Sequence, residues 1–170
     1  MSRWLWLSAL VVLLDQATKW AVMGSLTPFS VVELAPGINL TLTFNEGAAF
    51  SLLATAGGWQ RWILAAFAAV IGVALALWIK RLPAGERLLA AALSLILGGA
   101  LGNLIDRVLL GHVIDFIQVY LPFLPWRIFN PWPAFNCADS AISIGVVLLI
   151  IQTLFADDRN RAETDSPASR

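Results

Sequence analysis

The run WILAAFAAVIGVALALWI at residues 62–79 holds 18 consecutive positions without a charged side chain. As a helix rising 1.5 Å per residue, it covers most of the ~30 Å hydrocarbon layer of a bilayer. A soluble fold has few places to hide so long an apolar stretch, so the segment predicts a membrane-spanning helix. Three further runs, over roughly 4–24, 88–105 and 138–155, predict the same. The whole chain agrees: 59% of its residues are hydrophobic and 13% charged, against about 45–50% and about 25% in a soluble domain. Four spans leave one membrane domain over 1–156 and a polar tail, DDRNRAETDSPASR, over 157–170, which is expected to be disordered. No small-residue cleavage site closely follows the first run, so that run is read as a retained span.

Several function classes drop out. Net charge is zero and the basic residues are scattered, which leaves no footprint for nucleic acid. Cys137 is the only cysteine and His112 the only histidine, so neither a disulfide nor a zinc site can be assembled from them. Cys137 reads as a small packing residue and His112 as an interfacial one. Neither a metal nor a cofactor is called for.

Basic residues set the orientation. Arg3, Lys80, Arg81, Arg87, Arg159, Arg161 and Arg170 fall on one side, and Lys19, Arg61, Arg107 and Arg127 on the other. The positive-inside rule therefore predicts that both termini and the KRLPAGER loop are cytoplasmic. Two longer segments, 25–60 and 107–135, then lie outside. In the first, INLTLTF alternates apolar and polar residues behind a Pro36-Gly37 turn, which predicts a strand of a small sheet on the outer membrane surface.

The polar residues that a bilayer should exclude gather toward the outer ends of the spans. They are Asp15 and Lys19 in the first, Asn103, Asp106 and Arg107 in the third, and Asp139 in the fourth, with Asp115 just beyond the third. Ionisable groups at such depth mark a functional site by default. Each also has a plainer explanation. Asp15 and Lys19 stand four apart and can pair on one helix face. Arg107 can extend to the headgroups. Asn45 and Glu46 can form a turn before Gly47, and Asn136 or Asp139 can cap the fourth helix. A cap does not explain Asp115, set on a loop among Val113, Ile114, Phe116 and Ile117. Two carboxylates brought together share a proton, so one can activate water while the other polarises a carbonyl. From spacing alone this remains one possibility beside a proton or ion relay in a small transporter and a scaffold whose acids only brace helices.

Five motifs narrow the choice: DQATK at 15–19, FNEGAAF at 44–50, GGALGNLIDR at 98–107, GHVIDFI at 111–117 and FNCADSAI at 135–142. In this order the chain resembles the bacterial lipoprotein signal peptidases, the signal peptidase II family of membrane aspartyl proteases, over residues 4–155. The resemblance implies an all-α membrane protein of four transmembrane helices with a small periplasmic β-sheet on the outer face. It implies a multi-pass protein of the bacterial inner membrane with its active site toward the periplasm. It also implies an endopeptidase that removes the signal peptide from diacylglyceryl-modified prolipoproteins, just before the lipidated cysteine. By the same resemblance Asp115 and Asp139 are the catalytic pair. Asn45, Gly47, Asn103, Arg107 and Asn136 position the substrate, while Asp15 and Lys19 are structural. No metal or cofactor takes part. Prolipoproteins and membrane lipids are the implied partners, the chain is read as a monomer, and the cyclic peptide globomycin is the implied inhibitor. The Pro- and Trp-rich segment YLPFLPWRIFNPWPAF leaves the path into Asn136 open.

Overall fold

The apolar runs become helices in the computed structural model, which describes residues 2–47, 58–121 and 131–164, with side chains as far as Leu154. A short 3-10 turn, Ser2–Trp4, leads into α1, Leu5–Ser25. Strands β1, Val31–Ala35, and β2, Ile38–Asn45, follow, then α2, Gln60–Arg81, and α3, Arg87–Leu109. Strand β3, Val113–Val119, and α4, Cys137–Thr164, complete the order. Among the described residues, four helices are long and apolar enough to cross a membrane.

Helix α4 runs past the expected end near Phe155 to Thr164, so the polar tail is helical over much of its length rather than disordered. Extending an existing helix adds a hydrogen bond per residue without the cost of a new nucleus, so the ladder outlasts the apolar segment. Residues 165–170 lie outside the described residues, as do the last three residues of FNEGAAF and most of the Pro- and Trp-rich segment.

Helix α3 is the centre of the bundle and packs against α1, α2 and α4. Its small residues make that closeness possible. A Cβ added at Gly98 would stand 2.9 Å from Ser8 O of α1, and one at Gly102 would stand 2.6 Å from Asp15 Oδ2. By contrast α2 turns Ile63, Phe67, Val70 and Val73 outward, each more than half exposed, which is the face a lipid-bathed helix presents.

Trp4, Leu5, Ile79, Leu82 and Ala90 pack together, and Gln152 Nε2 donates to Glu86 Oε2 at 3.1 Å. The N-terminus, the α2–α3 connection and the later turns of α4 therefore share one end of the bundle. The sheet occupies the other.

That sheet is antiparallel in the order β1-β2-β3. The Pro36-Gly37 turn joins β1 to β2, with Gly37 at φ +86° and its carbonyl accepting Tyr120 N–H at 2.8 Å. A side chain there would meet Tyr120 O. The expected strand at INLTLTF is present, but its alternation is broken between Leu40 and Thr43, where the register with β3 shifts. Thr41 and Leu42 are consequently both buried, because a bulge re-aims the side chains beyond it. The outer segment 107–135 supplies β3, so Asp115 sits on a strand and not on the expected loop. Beyond β2, the other edge of β3 binds the chain just before α4: Ile117 N–H donates to Phe135 O at 2.8 Å, and Phe135 N–H returns to Ile117 O at 2.9 Å.

Candidate active site

The Phe135 bridge brings the two sequence-distant acids to one place. Asp115 faces Thr43 across the β2–β3 pair and is 4% exposed. Asp139 lies in the first turn of α4, half-buried. Asn136 opens that helix: its Oδ1 accepts Asp139 N–H at 2.9 Å, while Asp139 Oδ2 accepts Asn136 N–H at 3.3 Å. This reciprocal pair is a capping box with Asp in the third position. The cap orients the Asp139 carboxylate, which lines the cavity.

Amide side chains connect the acids. Asn136 Nδ2 donates to Asp115 Oδ1 at 2.7 Å and lies 3.1 Å from both Asn103 Oδ1 and Ile114 O. Asn103 Nδ2 donates to Asp139 Oδ1 at 2.7 Å. Asn45 Nδ2 donates to Asp115 Oδ2 at 3.2 Å, and its Oδ1 accepts Gly47 N–H at 3.1 Å, so the turn and the site contact coexist. Arg107 Nη1 reaches Asn103 O at 3.3 Å and Nη2 reaches Gly47 O at 3.4 Å. Asp115, Asp139, Asn45, Asn103 and Arg107 all line one cavity of about 800 Å³. Burial is the main reason the Asp115 carboxyl is pushed up to about 7, and the Asp139 charge adds to it, while the Asn45 and Asn136 hydrogen bonds pull the other way.

Beneath this layer lies a second, buried one. Lys19 Nζ sits 2.8 Å from Asp15 Oδ2, 2.8 Å from Asp106 Oδ2 and 3.1 Å from Asn103 Oδ1. Lys19 is thus buried and ion-paired, not an exposed charge. The carboxylates it holds fasten the backbone beside Asp139 and Asp115. Asp15 Oδ1 accepts Ala138 N–H at 2.8 Å, next to Asp139. Asp106 Oδ2 accepts Ile114 N–H at 3.1 Å, next to Asp115.

Gln16 was not singled out by the sequence reading, yet its Nε2 donates to Asp106 Oδ1 at 2.8 Å and reaches Gly102 O at 3.2 Å. The available signal was its position inside an apolar span, where an amide needs a partner as an ion does. Cys137 lies in contact with Thr18, 3.5 Å from its hydroxyl, and His112 stacks on Phe44 with ring centroids 4.7 Å apart. The packing reading of Cys137 fits.

An acid with a raised pKa and a second carboxylate at a helix start, on one cavity, can hold a single proton between them. Such a pair can polarise a carbonyl and activate a water. Among the described residues the buried ionisable groups, Asp15, Lys19, Asp106 and Asp115, cluster at one end of the bundle instead of spanning its depth, which does not favour a transmembrane relay.

The family model for signal peptidase II matches residues 7–155. A protein of Ectopseudomonas mendocina named lipoprotein signal peptidase is 49% identical over 161 residues, 94% of this chain and 92% of that one. One of the same name from Acinetobacter baylyi is 46% identical over 162 residues, 94% of this chain and 87% of that one. A solved structure, described as a bacterial membrane enzyme at 2.3 Å resolution, superposes with a TM-score of 0.79 at 32% identity, covering 94% of this chain and 92% of the other.

Proposed function

The chain belongs to the signal peptidase II family, and on that premise we propose that it removes the signal peptide from diacylglyceryl-modified prolipoproteins. The cut falls on the peptide bond before the lipidated cysteine. The observation that carries the reading is that Asp115 and Asp139 line one cavity and are tied through the amides of Asn136 and Asn103.

In the proposed mechanism Asp139 is the ionised member and takes a proton from water, whose oxygen attacks the scissile carbonyl carbon. Asp115, whose carboxyl is pushed up to about 7 by burial and by the Asp139 charge, holds its proton and donates a hydrogen bond to the developing oxyanion. The C–N bond then breaks and a proton passes to the leaving amine, so the water is divided between the new carboxyl and the new amine. Asn45, Gly47, Asn103, Arg107 and Asn136 position the peptide against the pair. The apparent titration belongs to the dyad as a unit.

The substrate explains the depth of the site. Each acyl methylene is worth about 0.8 kcal/mol in the membrane, so a lipidated cysteine stays at the surface and the protease has to meet it there. We place the chain as a multi-pass monomer of the inner membrane, with both termini cytoplasmic and the sheet end periplasmic. Globomycin is expected to compete for the main cavity.

The test is cleavage by the purified chain in detergent, offered a diacylglyceryl-modified prolipoprotein and its unmodified precursor. The modified substrate is expected to be cut and the precursor not. Equal cutting of both removes the lipid from the recognition, and no cutting of either removes the function.

The pH dependence follows from the Asp115 shift, upward from 3.8 to about 7. With Asp115 as the proton donor, kcat/KM of the free enzyme should fall tenfold per pH unit above about 7. Asn45 stabilises the ionised carboxylate, so Asn45→Ala should move that limb to higher pH. A limb that stays in place or moves down assigns the titration to another group.

A further inference from the structure

A second cavity, of about 170 Å³, opens where the start of α2 meets the turn after α3. Glu46, Gln60, Arg61, Gly111 and His112 line it, and among the described residues it shares none with the main cavity. Phe44 lines the main cavity and stacks on His112, so the two rings form part of the wall between them.

Two buried polar atoms of the residues lining this cavity, Gln60 Oε1 and Arg61 Nε, make no hydrogen bond. Gln60 is 1% exposed, yet its Oε1 accepts no hydrogen bond, and a buried unpaired acceptor is costly. Arg61 Nε is also buried without a partner. The guanidinium is held by packing: it lies 4.9 Å from the centre of the Trp62 ring and against Gly111. Gly111, at φ +85°, makes that seat, because a Cβ there would stand 2.7 Å from Arg61 Nη1. Glu46 is exposed on the same cavity, and the ion pairs among the described residues join only Lys19 to Asp15 and Asp106. The cavity thus offers a cation together with an amide oxygen and a carboxylate.

The complement of such a site carries an anion and a hydrogen-bonding cation together. Its surroundings add a third requirement. Trp59 and Trp62 flank the start of α2, 54% and 53% exposed, as side chains at a membrane interface do. Ile63, Phe67 and Val70 continue down α2 as a bare apolar face on which acyl chains can lie. Trp59, the N-cap of α2, makes no side-chain cap, so that positive helix end adds to Arg61 in favouring an anion.

We infer that this cavity binds the headgroup of a phosphoethanolamine phospholipid, with phosphate on Arg61 and the start of α2 and ammonium on Gln60 Oε1 and Glu46. A choline headgroup has no N–H to give the two acceptors, and a glycerol headgroup has no cation for Glu46. The site is separate from the peptidase chemistry.

The experiment is native mass spectrometry of the full chain in detergent, equilibrated with equimolar dioleoyl phosphatidylethanolamine, phosphatidylcholine and phosphatidylglycerol. The ethanolamine lipid should be retained about fivefold over the other two, an effect in the range of one charge-assisted hydrogen bond. Glu46→Gln, at an exposed position that leaves the fold intact, should reduce that preference to within about twofold. Arg61→Gln should lower retention of all three lipids about tenfold. Water-soluble phosphoethanolamine at the same concentration should not displace the lipid. Equal retention of the ethanolamine and choline lipids overturns the inference, and so does a preference that survives Glu46→Gln. Displacement by soluble phosphoethanolamine makes the occupant a free phosphate ester and overturns the lipid assignment.

Discussion

Asp115→Asn and Asp139→Asn are each expected to lower the rate of prolipoprotein cleavage by about 10²–10⁴-fold or more, the range lost with a general acid or base. Both variants are expected to fold. At Asp139 the amide oxygen of Asn can still accept Asn136 N–H, now at 3.3 Å, so the helix cap survives. At Asp115 the Asn carbonyl can still accept from Asn136, now at 2.7 Å. Stability separates catalysis from bracing. A carboxyl raised to about 7 in the fold, and near 3.9 unfolded, keeps its proton longer in the native state. Native protein then binds more protons between these values, so stability falls as pH rises through that window. Asp115→Asn removes this loss, and its melting temperature at pH 8 should equal or exceed that of the parent. A scaffold role predicts the opposite pair of results: a lower melting temperature, with cleavage preserved in whatever remains folded. The two assays on the same preparation separate the readings.

How much of this was legible in the sequence depended on the range of the interaction. The spans could be read because hydrocarbon tolerates few charges, and the 62–79 run lies wholly within α2, Gln60–Arg81. Asp15 with Lys19 could be read because spacing of four is local to a helix. Strand β3 could not, since VIDFIQV is buried on both faces at its start and shows no alternation. INLTLTF did alternate, yet the bulge that sets the Thr43–Asp115 register left no mark in the pattern. The pairing of Gln16 with Asp106 escaped for a related reason. Their bond joins residues 90 apart in sequence, and only the close approach of α1 to α3 at Gly102 brings them together. Asn136 could be read as a cap, but its service to Asp115, Asn103 and Asp139 at once required the Phe135 bridge.

That dependence on distant contacts makes Lys19 the position where one change should cost most stability. Lys19→Met keeps the length of the side chain and deletes the charge. Asp15 and Asp106, 0% and 2% exposed, would each lose a partner at 2.8 Å. Removing one member of a buried ion pair costs roughly 3–5 kcal/mol, because the remaining charge is left without compensation. For a chain of this size that is a fall in melting temperature on the order of 10 °C. Damage should also reach the reaction centre. Asp15 holds the backbone at Ala138, Asp106 holds it at Ile114, and Lys19 itself holds Asn103. Cleavage by the molecules that stay folded should therefore fall as well, although Lys19 does not line the main cavity. Combining Lys19→Met with Asp15→Asn and Asp106→Asn removes the stranded charges while keeping acceptors for Ala138 and Ile114, so it should recover much of the stability. If Lys19→Met melts within a few degrees of the parent, or the triple variant is worse than the single, the buried charge network does not hold the two backbones. The carboxylates would then owe their positions to the sheet and the helix cap alone.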